Sequence, residues 1–305
     1  MYRLYFFFLF GLTVHSYAQD CACEKHAIFS EKALLTNLKN LSSDAFEGRR
    51  TGTRGAQRAR KYIINEFHKR DVKPLKTLYG QPFSFTKGRK LYKGVNVLGL
   101  VKGQKYPNKF IVISAHYDHE GIKFGNIYNG ADDNASGVCA LFSFAEYFKK
   151  HPPQYSVILA AFDAEELGLE GSRFFVNDCI AQGKNVILNI NMDMISRSKK
   201  NELYVVGARQ YKKLEFLFLD ATSECRKLKI VAGHDGFDDL DDWTYSSDHK
   251  YFHKAGIPFL YFGVEDHEDY HEPTDDYENI DPTFYKMAVS EIITVFAKID
   301  KSIWY

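Results

Sequence analysis

IVISAHYDHEGIKFGNIYNGADDNASG, residues 111–137, is the stretch whose reading decides the fold. It opens with an apolar, β-branched run that reads as a buried strand and continues into His116 and Asp118. It closes on Asp132 and Asp133 immediately before a helical pattern. His116 and Asp118 are two apart, so on a persisting strand they point the same way, and the carboxylate can hold the imidazole in the orientation a metal needs. Asp132 returns to the same place through a Gly-bearing loop. Its two oxygens can each hold a different cation, and the role expected of it is that of a bridging carboxylate.

Outward from this stretch the same unit recurs: apolar strand, polar residue, loop, helix. YSVILAAF ends at Phe162 with Glu165 and Glu166 just beyond it, and Gly168 and Gly171 allow a sharp departure into a helix. NVILNINMDM ends on Asp193, LYVVG gives a further strand, and a helix is expected from Tyr211 to Leu228. Gly256 to Val264 is a last apolar strand, followed by EDHEDYHEPTDDYENI with His271. Upstream, GVNVLGLV and KFIVISAHYD read as neighbouring strands separated by a turn through Lys105 to Asn108. Helical periodicity marks Ser30 to Asn40, Gly55 to Lys69, Asn134 to Lys150 and Pro282 to Lys301. The pattern predicts an α/β fold with a largely parallel sheet covered by helices on both faces. Ligand sites in such sheets lie beyond the carboxyl ends of the strands, where His116, Asp118, Asp132, Glu165, Glu166, Asp193 and His271 all fall.

At 305 residues with 45% hydrophobic content the chain can bury a large core, and 40 Lys and Arg against 39 Asp and Glu give no electrostatic case for a nucleic-acid or membrane-surface partner. Residues 1–18, with Arg3, the block LYFFFLFGLTV and the small residues Ser16 and Ala18, read as a signal peptide. A secreted or periplasmic protein is therefore expected, with a single domain over residues 19–305. Asp20 before Cys21 argues against lipidation. Cys139 is expected in the core, while Cys21, Cys23, Cys179 and Cys225 are free to pair in an oxidising compartment. Arg49, Arg50 and Arg54, in LSSDAFEGRRTGTRG, are expected to be a solvated charge run rather than a clamp for a substrate carboxylate. The acidic loop with Asp235, Asp238, Asp239, Asp241 and Asp242 could favour basic substrates, or be solvated or bind calcium.

Two His and several carboxylates gathered at strand ends would be a costly cluster of like charges without cations among them. Oxygen-rich sites with two imidazoles suit zinc, manganese or cobalt. Glu165, beside a ligand without having to be one, is free to act as general base.

HYDHEG, NGADDNASG, FDAEELGLEGS, NMDMIS and DYHEPTDD resemble the motif set of the co-catalytic zinc aminopeptidases, the family that also holds glutamate carboxypeptidase and the glutaminyl cyclases. The resemblance covers nearly all of the chain after residue 18. It implies a three-layer α/β/α sandwich around a mixed sheet, without a protease-associated insert. It also implies two zinc ions, with cobalt or manganese as substitutes: one held by His116 and Asp193, the other by Glu166 and His271, and Asp132 bridging. Glu165 matches the general base, Asp118 the partner of His116, and Tyr270 a position that donates to the oxyanion in some members. A cis peptide is implied between Asp132 and Asp133. The reaction implied is attack by a bridging hydroxide on the first peptide bond of substrates with a free N-terminus. The presence of His116 favours this dinuclear hydrolase over a glutaminyl cyclase, and the arginine run is the one support for a carboxypeptidase.

Overall fold

In a computed structural model, residues 28–215 and 228–302 are described. The strands are β1 (Lys73–Pro74), β2 (Gly80–Lys87), β3 (Lys90–Val101), β4 (Tyr106–His116), β5 (Gly121–Lys123), β6 (Asn126–Tyr128), β7 (Tyr155–Phe162), β8 (Asn185–Met192), β9 (Glu202–Val206), β10 (Lys229–Ala232) and β11 (Phe259–Gly263). The helices are α1 (Glu31–Leu41), α2 (Arg54–Lys69), α3 (Gly137–Lys150), α4 (Glu170–Ala181), α5 (Lys212–Glu215), α6 (His249–Lys254) and α7 (Pro282–Lys301). Among the described residues nine strands form one mixed sheet in the order β1-β3-β7-β4-β8-β11-β9-β10, with β2 added to β3, while β5 and β6 make a separate hairpin.

Alternation along the central strands builds the layers. Ile111, Ile113, Val157 and Leu159 face one side, where Leu34 and Leu38 of α1, Ile63 and Phe67 of α2, Phe142 of α3 and Ile292 and Phe296 of α7 cover them. Val112, Ile158 and Ala160 face the other side, against Phe175 and Val176 of α4 and Phe252 of α6. Because both faces are covered, every residue of β7 is buried, which explains its unbroken apolar run. The helix starts are capped as their sequences suggest. Ser30 accepts from the Ala33 N–H, Thr53 from that of Ala56, and Asp281 from those of Thr283 and Phe284, with Pro282 opening α7. Among the described residues no helix is long and apolar enough to cross a membrane.

Several expectations are corrected. β3 and β4 are not neighbours, because β7 lies between them, antiparallel to β3 and parallel to β4. A turn of a few residues joins them, but hydrogen-bond pairing across the sheet belongs to the later strand. The helix expected from Asn134 starts at Gly137, and residues 131–136 form a wider π-type turn. Cys139 and Cys179 are both buried free thiols, so Cys179 is a core residue rather than a disulfide partner. The signal peptide, Cys21, Cys23, Cys225 and most of the helix expected from Tyr211 to Leu228 lie outside the described residues.

Candidate metal centre

Four adjacent strands, β7, β4, β8 and β11, run parallel and so end at one edge. His116 is the last residue of β4, Asp193 follows β8, and Glu165 and Glu166 follow β7, while the loop after β11 carries Tyr270 and His271. Gly171, which turns the chain after Glu166 into α4, approaches the Asp163 carbonyl so closely that a Cβ there would stand 2.2 Å from it. This close packing returns the chain past Asp163 just beyond Glu165 and Glu166.

The side chains converge. His116 Nε2 lies 3.1 Å from Asp193 Oδ1 and 3.2 Å from Asp133 Oδ1. The other oxygen of Asp133, Oδ2, lies 3.2 Å from His271 Nε2, which is itself 3.4 Å from Glu166 Oε2. One carboxylate thus presents its two oxygens to two different imidazoles. That carboxylate is Asp133, not Asp132. The Asp132 Oδ1 accepts from both the main-chain N–H and the hydroxyl of Ser196, each at 2.7 Å, and its Oδ2 is 3.1 Å from His267 Nε2. The non-proline cis peptide also falls one residue later than implied, at Asp133–Asn134. Neighbouring residues in a turn point to different sides, and the sequence shows two identical side chains with nothing local to say which turns inward.

Supporting contacts fix the arrangement. Asp275 accepts the main-chain N–H of Asp132 at 2.9 Å and of Asp133 at 3.0 Å, anchoring the turn that carries them. Asp193 Oδ2 accepts from the Ser247 hydroxyl at 2.7 Å. Asp118 was expected to hold His116 through its carboxylate, but its carbonyl oxygen is nearer to Nδ1, 3.1 Å against 3.8 Å for Oδ1. The strand ends at His116, so the two side chains no longer share a face. The Asp118 carboxylate instead accepts the Glu165 main-chain N–H at 3.0 Å and the Thr51 hydroxyl at 3.2 Å.

Arg49 is fully buried, against the expectation of a solvated run. Its guanidinium donates to the carbonyls of Tyr117 at 2.8 Å, Leu41 at 3.1 Å and Gly130 at 2.8 Å, and to that of Asn129. It ties the HYDHEG segment to the NGADDN segment from beneath. Arg50 pairs with Glu120 at 3.0 Å, and Arg54 is exposed on the first turn of α2. A residue the sequence reading passed over, His119, is also fully buried beside Asp133 and Glu166. Its signal was a third polar residue in HYDH, which carried no weight once strand periodicity stopped at His116.

The electrostatics follow from this crowding. Burial opposes ionisation of Asp133, but His119, together with hydrogen bonds from His116 and His271, holds it well below the usual carboxylate range. Burial pushes Glu165 well above that range, and Asp193 and Glu166 add to the push against the opposing pull of His116. The hydrogen bond that His271 donates to Asp133 raises the imidazole to about 9. The donor set, two imidazoles and three carboxylates with the buried Arg49 guanidinium near enough for its charge to act on Asp133, suits divalent cations that favour nitrogen and oxygen. His116 lies against both Asp133 and Asp193, and His271 against both Asp133 and Glu166. Possible ligand atoms of His116, Glu165 and Asp193, of His119, Asp133 and Glu166, and of Glu120, Glu166 and His271 gather within 4.8 Å of one another, so the residues fit metal ions.

Beside them opens a cleft of about 230 Å³ lined by Glu165, Asp241, Trp243, Tyr261, Asp266 and Tyr270 among others. Tyr270 stacks on His271 with ring centroids 4.0 Å apart. Burial first, then Asp133 and Asp193, keep its phenol protonated far above the ordinary value. The acidic loop forms one wall, where Trp243 stacks on His234 at 3.5 Å.

This mixed sheet with flanking helices and a carboxylate–imidazole cluster at its carboxyl edge defines an α/β fold shared with known metallopeptidases. The crystal structure of BSAP, a zinc aminopeptidase from Bacillus subtilis, superposes with a TM-score of 0.69 at 18% identity, covering 90% of this chain and 97% of that one. Porphyromonas gingivalis glutaminyl cyclase superposes with a TM-score of 0.74 at 16% identity, covering 90% and 99%. The chain belongs to peptidase family M28, whose model matches residues 96–296. Aminopeptidase YwaD of Bacillus subtilis is 34% identical over 199 residues, 61% of this chain and 40% of YwaD. The chain spans well under half the length of the curated relatives it matches.

Proposed function

We propose that this chain is an exported aminopeptidase that holds two zinc ions and hydrolyses the first peptide bond of substrates with a free N-terminus. The observation that carries the reading is Asp133, whose two oxygens stand at 3.2 Å from two separate imidazoles, each of which has a further carboxylate beside it. His116, Asp133 and Asp193 would hold one ion, and Asp133, Glu166 and His271 the other. Zinc supplies Lewis acidity there, polarising the scissile carbonyl and making water acidic enough to attack near neutral pH.

The chain's own groups do the rest. Glu165, not needed as a ligand, takes the proton of the attacking water on a carboxylate oxygen and passes it to the departing amine. Asp118 keeps the Glu165 backbone in place through the N–H it accepts. The Tyr270 phenol, kept protonated beside His271, donates to the oxygen that gains charge as the carbonyl is attacked. The cleft carries Asp241 and Asp266 besides the site carboxylates, and no Lys or Arg among the described residues lines it, which suits an α-ammonium group and not an α-carboxylate. With Arg49 spent on main-chain carbonyls and Arg50 paired with Glu120, Arg54, exposed on the first turn of α2, is what the arginine run leaves to a carboxypeptidase reading. Export rests on residues 1–18 and is tested by the N-terminal mass of the protein recovered from expressing cells, expected to begin at Gln19.

The activity is tested with aminoacyl p-nitroanilides and their N-acetylated forms, before and after chelation and zinc restoration. Cleavage of the free-amine substrates alone is expected, lost on chelation and regained with zinc. Glu165→Ala should lower kcat by about 10²–10⁴-fold with zinc content unchanged. Failure to hydrolyse any of them, together with cyclisation of an N-terminal glutamine, would replace this reading with that of a glutaminyl cyclase.

A further inference from the structure

His119 has no role in the reading above, yet it sits inside the cluster. Its side chain is fully buried, with Nδ1 2.8 Å from Glu166 Oε1 and 3.6 Å from Asp133 Oδ2. Its other ring nitrogen, Nε2, is buried with no hydrogen-bond partner. An imidazole with no acceptor at Nε2 and two carboxylates at Nδ1 carries its proton on Nδ1, so this N–H donates to Glu166. Burying the ring with one nitrogen unsatisfied costs free energy, and the charge-assisted bond to Glu166 is what the position gains in return.

The two oxygens of Glu166 are thereby divided. Oε1 is held by His119, and Oε2 is left facing His271 Nε2 at 3.4 Å. The ring itself has little room to move. At Gly130 a Cβ would stand 2.6 Å from the imidazole, at a backbone φ of +55° that already favours glycine, and the Gly130 carbonyl is pinned by Arg49. On the other side lies the His271 ring, 6.0 Å away between centroids.

We infer that His119 is a positioning residue for Glu166: it donates from Nδ1 to Oε1 and presents Oε2 to the cation shared with Asp133 and His271. The inference rests on the reading of Asp133, Glu166 and His271 as ligands. It makes the third histidine of the cluster a partner of a ligand, in the way that outer hydrogen bonds orient metal-binding groups generally.

The test compares His119→Leu, which keeps much of the bulk and removes the N–H, with His119→Asn, whose amide can restore it. Zinc affinity is read by competition with a chromophoric chelator, and thermal unfolding of the metal-free proteins serves as the control for folding. His119→Leu is expected to bind one zinc ion about 10–100-fold more weakly, with the other ion unchanged. His119→Asn is expected to recover most of that loss. Wild-type affinity in His119→Leu would overturn the inference, as would His119→Asn binding as weakly as His119→Leu at an equal unfolding temperature. So would complete loss of one ion from both variants at millimolar zinc, since that marks a direct ligand. A wild-type protein that binds a single ion breaks the two-ion reading while the contrast between the variants still decides His119; one that binds none overturns both.

Discussion

Two acidic regions of this molecule stand side by side and differ in how their charge is met. In the loop at 233–243, Asp235 is buried yet accepts from Arg209 Nε at 3.1 Å and Nη2 at 2.5 Å, and Asp238 accepts from the same guanidinium and from the main-chain N–H of His234. Asp241 accepts from Trp243 Nε1 at 2.7 Å, and Asp242 from the Thr244 N–H at 2.8 Å. At the strand ends, Asp133 and Asp193 are buried and Glu166 is partly buried, and they face three imidazoles, with no Lys or Arg bonded to them among the described residues. Carboxylates supplied with protein donors hold a loop in shape. Carboxylates left to share imidazoles form a site that a cation completes, because buried negative charges this close are otherwise strongly unfavourable.

The sharpest way to break this contrast uses two adjacent residues. Asp133→Asn should lower kcat/KM on the order of 10³-fold or more and release at least one zinc ion, measured by steady-state kinetics and metal analysis. Asp132→Asn should keep both ions. Its cost falls on stability instead, about 1–3 kcal/mol from the disturbed bonds to Ser196 and His267, read by denaturant unfolding. Equal loss of metal in the two variants would end the distinction between them.

A smaller effect is expected on the loop side. Arg209→Gln leaves Asp235 buried with weaker donors and should destabilise the protein by about 1–3 kcal/mol without changing zinc content. Loss of zinc from this variant would mean that the loop charge and the site charge are one system.

The smallest effect concerns pH. In the metal-free protein His271 is raised from 6.5 to about 9, first by its hydrogen bond to Asp133, and His116 is raised too, by Asp193 and Glu165 against the effect of burial. A raised imidazole adds stability that is fully present below the unfolded value and is lost as pH rises through the folded one. The unfolding temperature of the metal-free protein should therefore fall between about pH 6.5 and pH 9, and His271→Gln should flatten part of that fall. Zinc, which binds neutral imidazole, should remove it from the wild type.

Much of this was readable from residues alone, because strand periodicity is local. The apolar runs ending at His116, Phe162, Met192 and Val264 marked all four strands whose ends form the site, and the polar residues at or after those ends placed His116, Glu165, Glu166, Asp193 and His271 on one edge. Other features depend on contacts between distant segments. Arg49 looked solvated because its acceptors are the carbonyls of Leu41, Tyr117, Asn129 and Gly130, which no spacing along the chain reveals. His119 lay just past the strand, where alternation no longer says which way a side chain turns.

The sequence by itself determined the α/β class, the carboxyl edge as the place of chemistry, and the residue types gathered there, since period and composition act over a few residues. Only the tertiary structure decided that β7 inserts between β3 and β4, and that the arginine beneath the site is structural. It alone decided that Asp133 faces the cluster while Asp132 is consumed by Ser196 and His267. These outcomes depend on which distant donors meet which side chains once both faces of the sheet are covered, and that is a property of the packed chain.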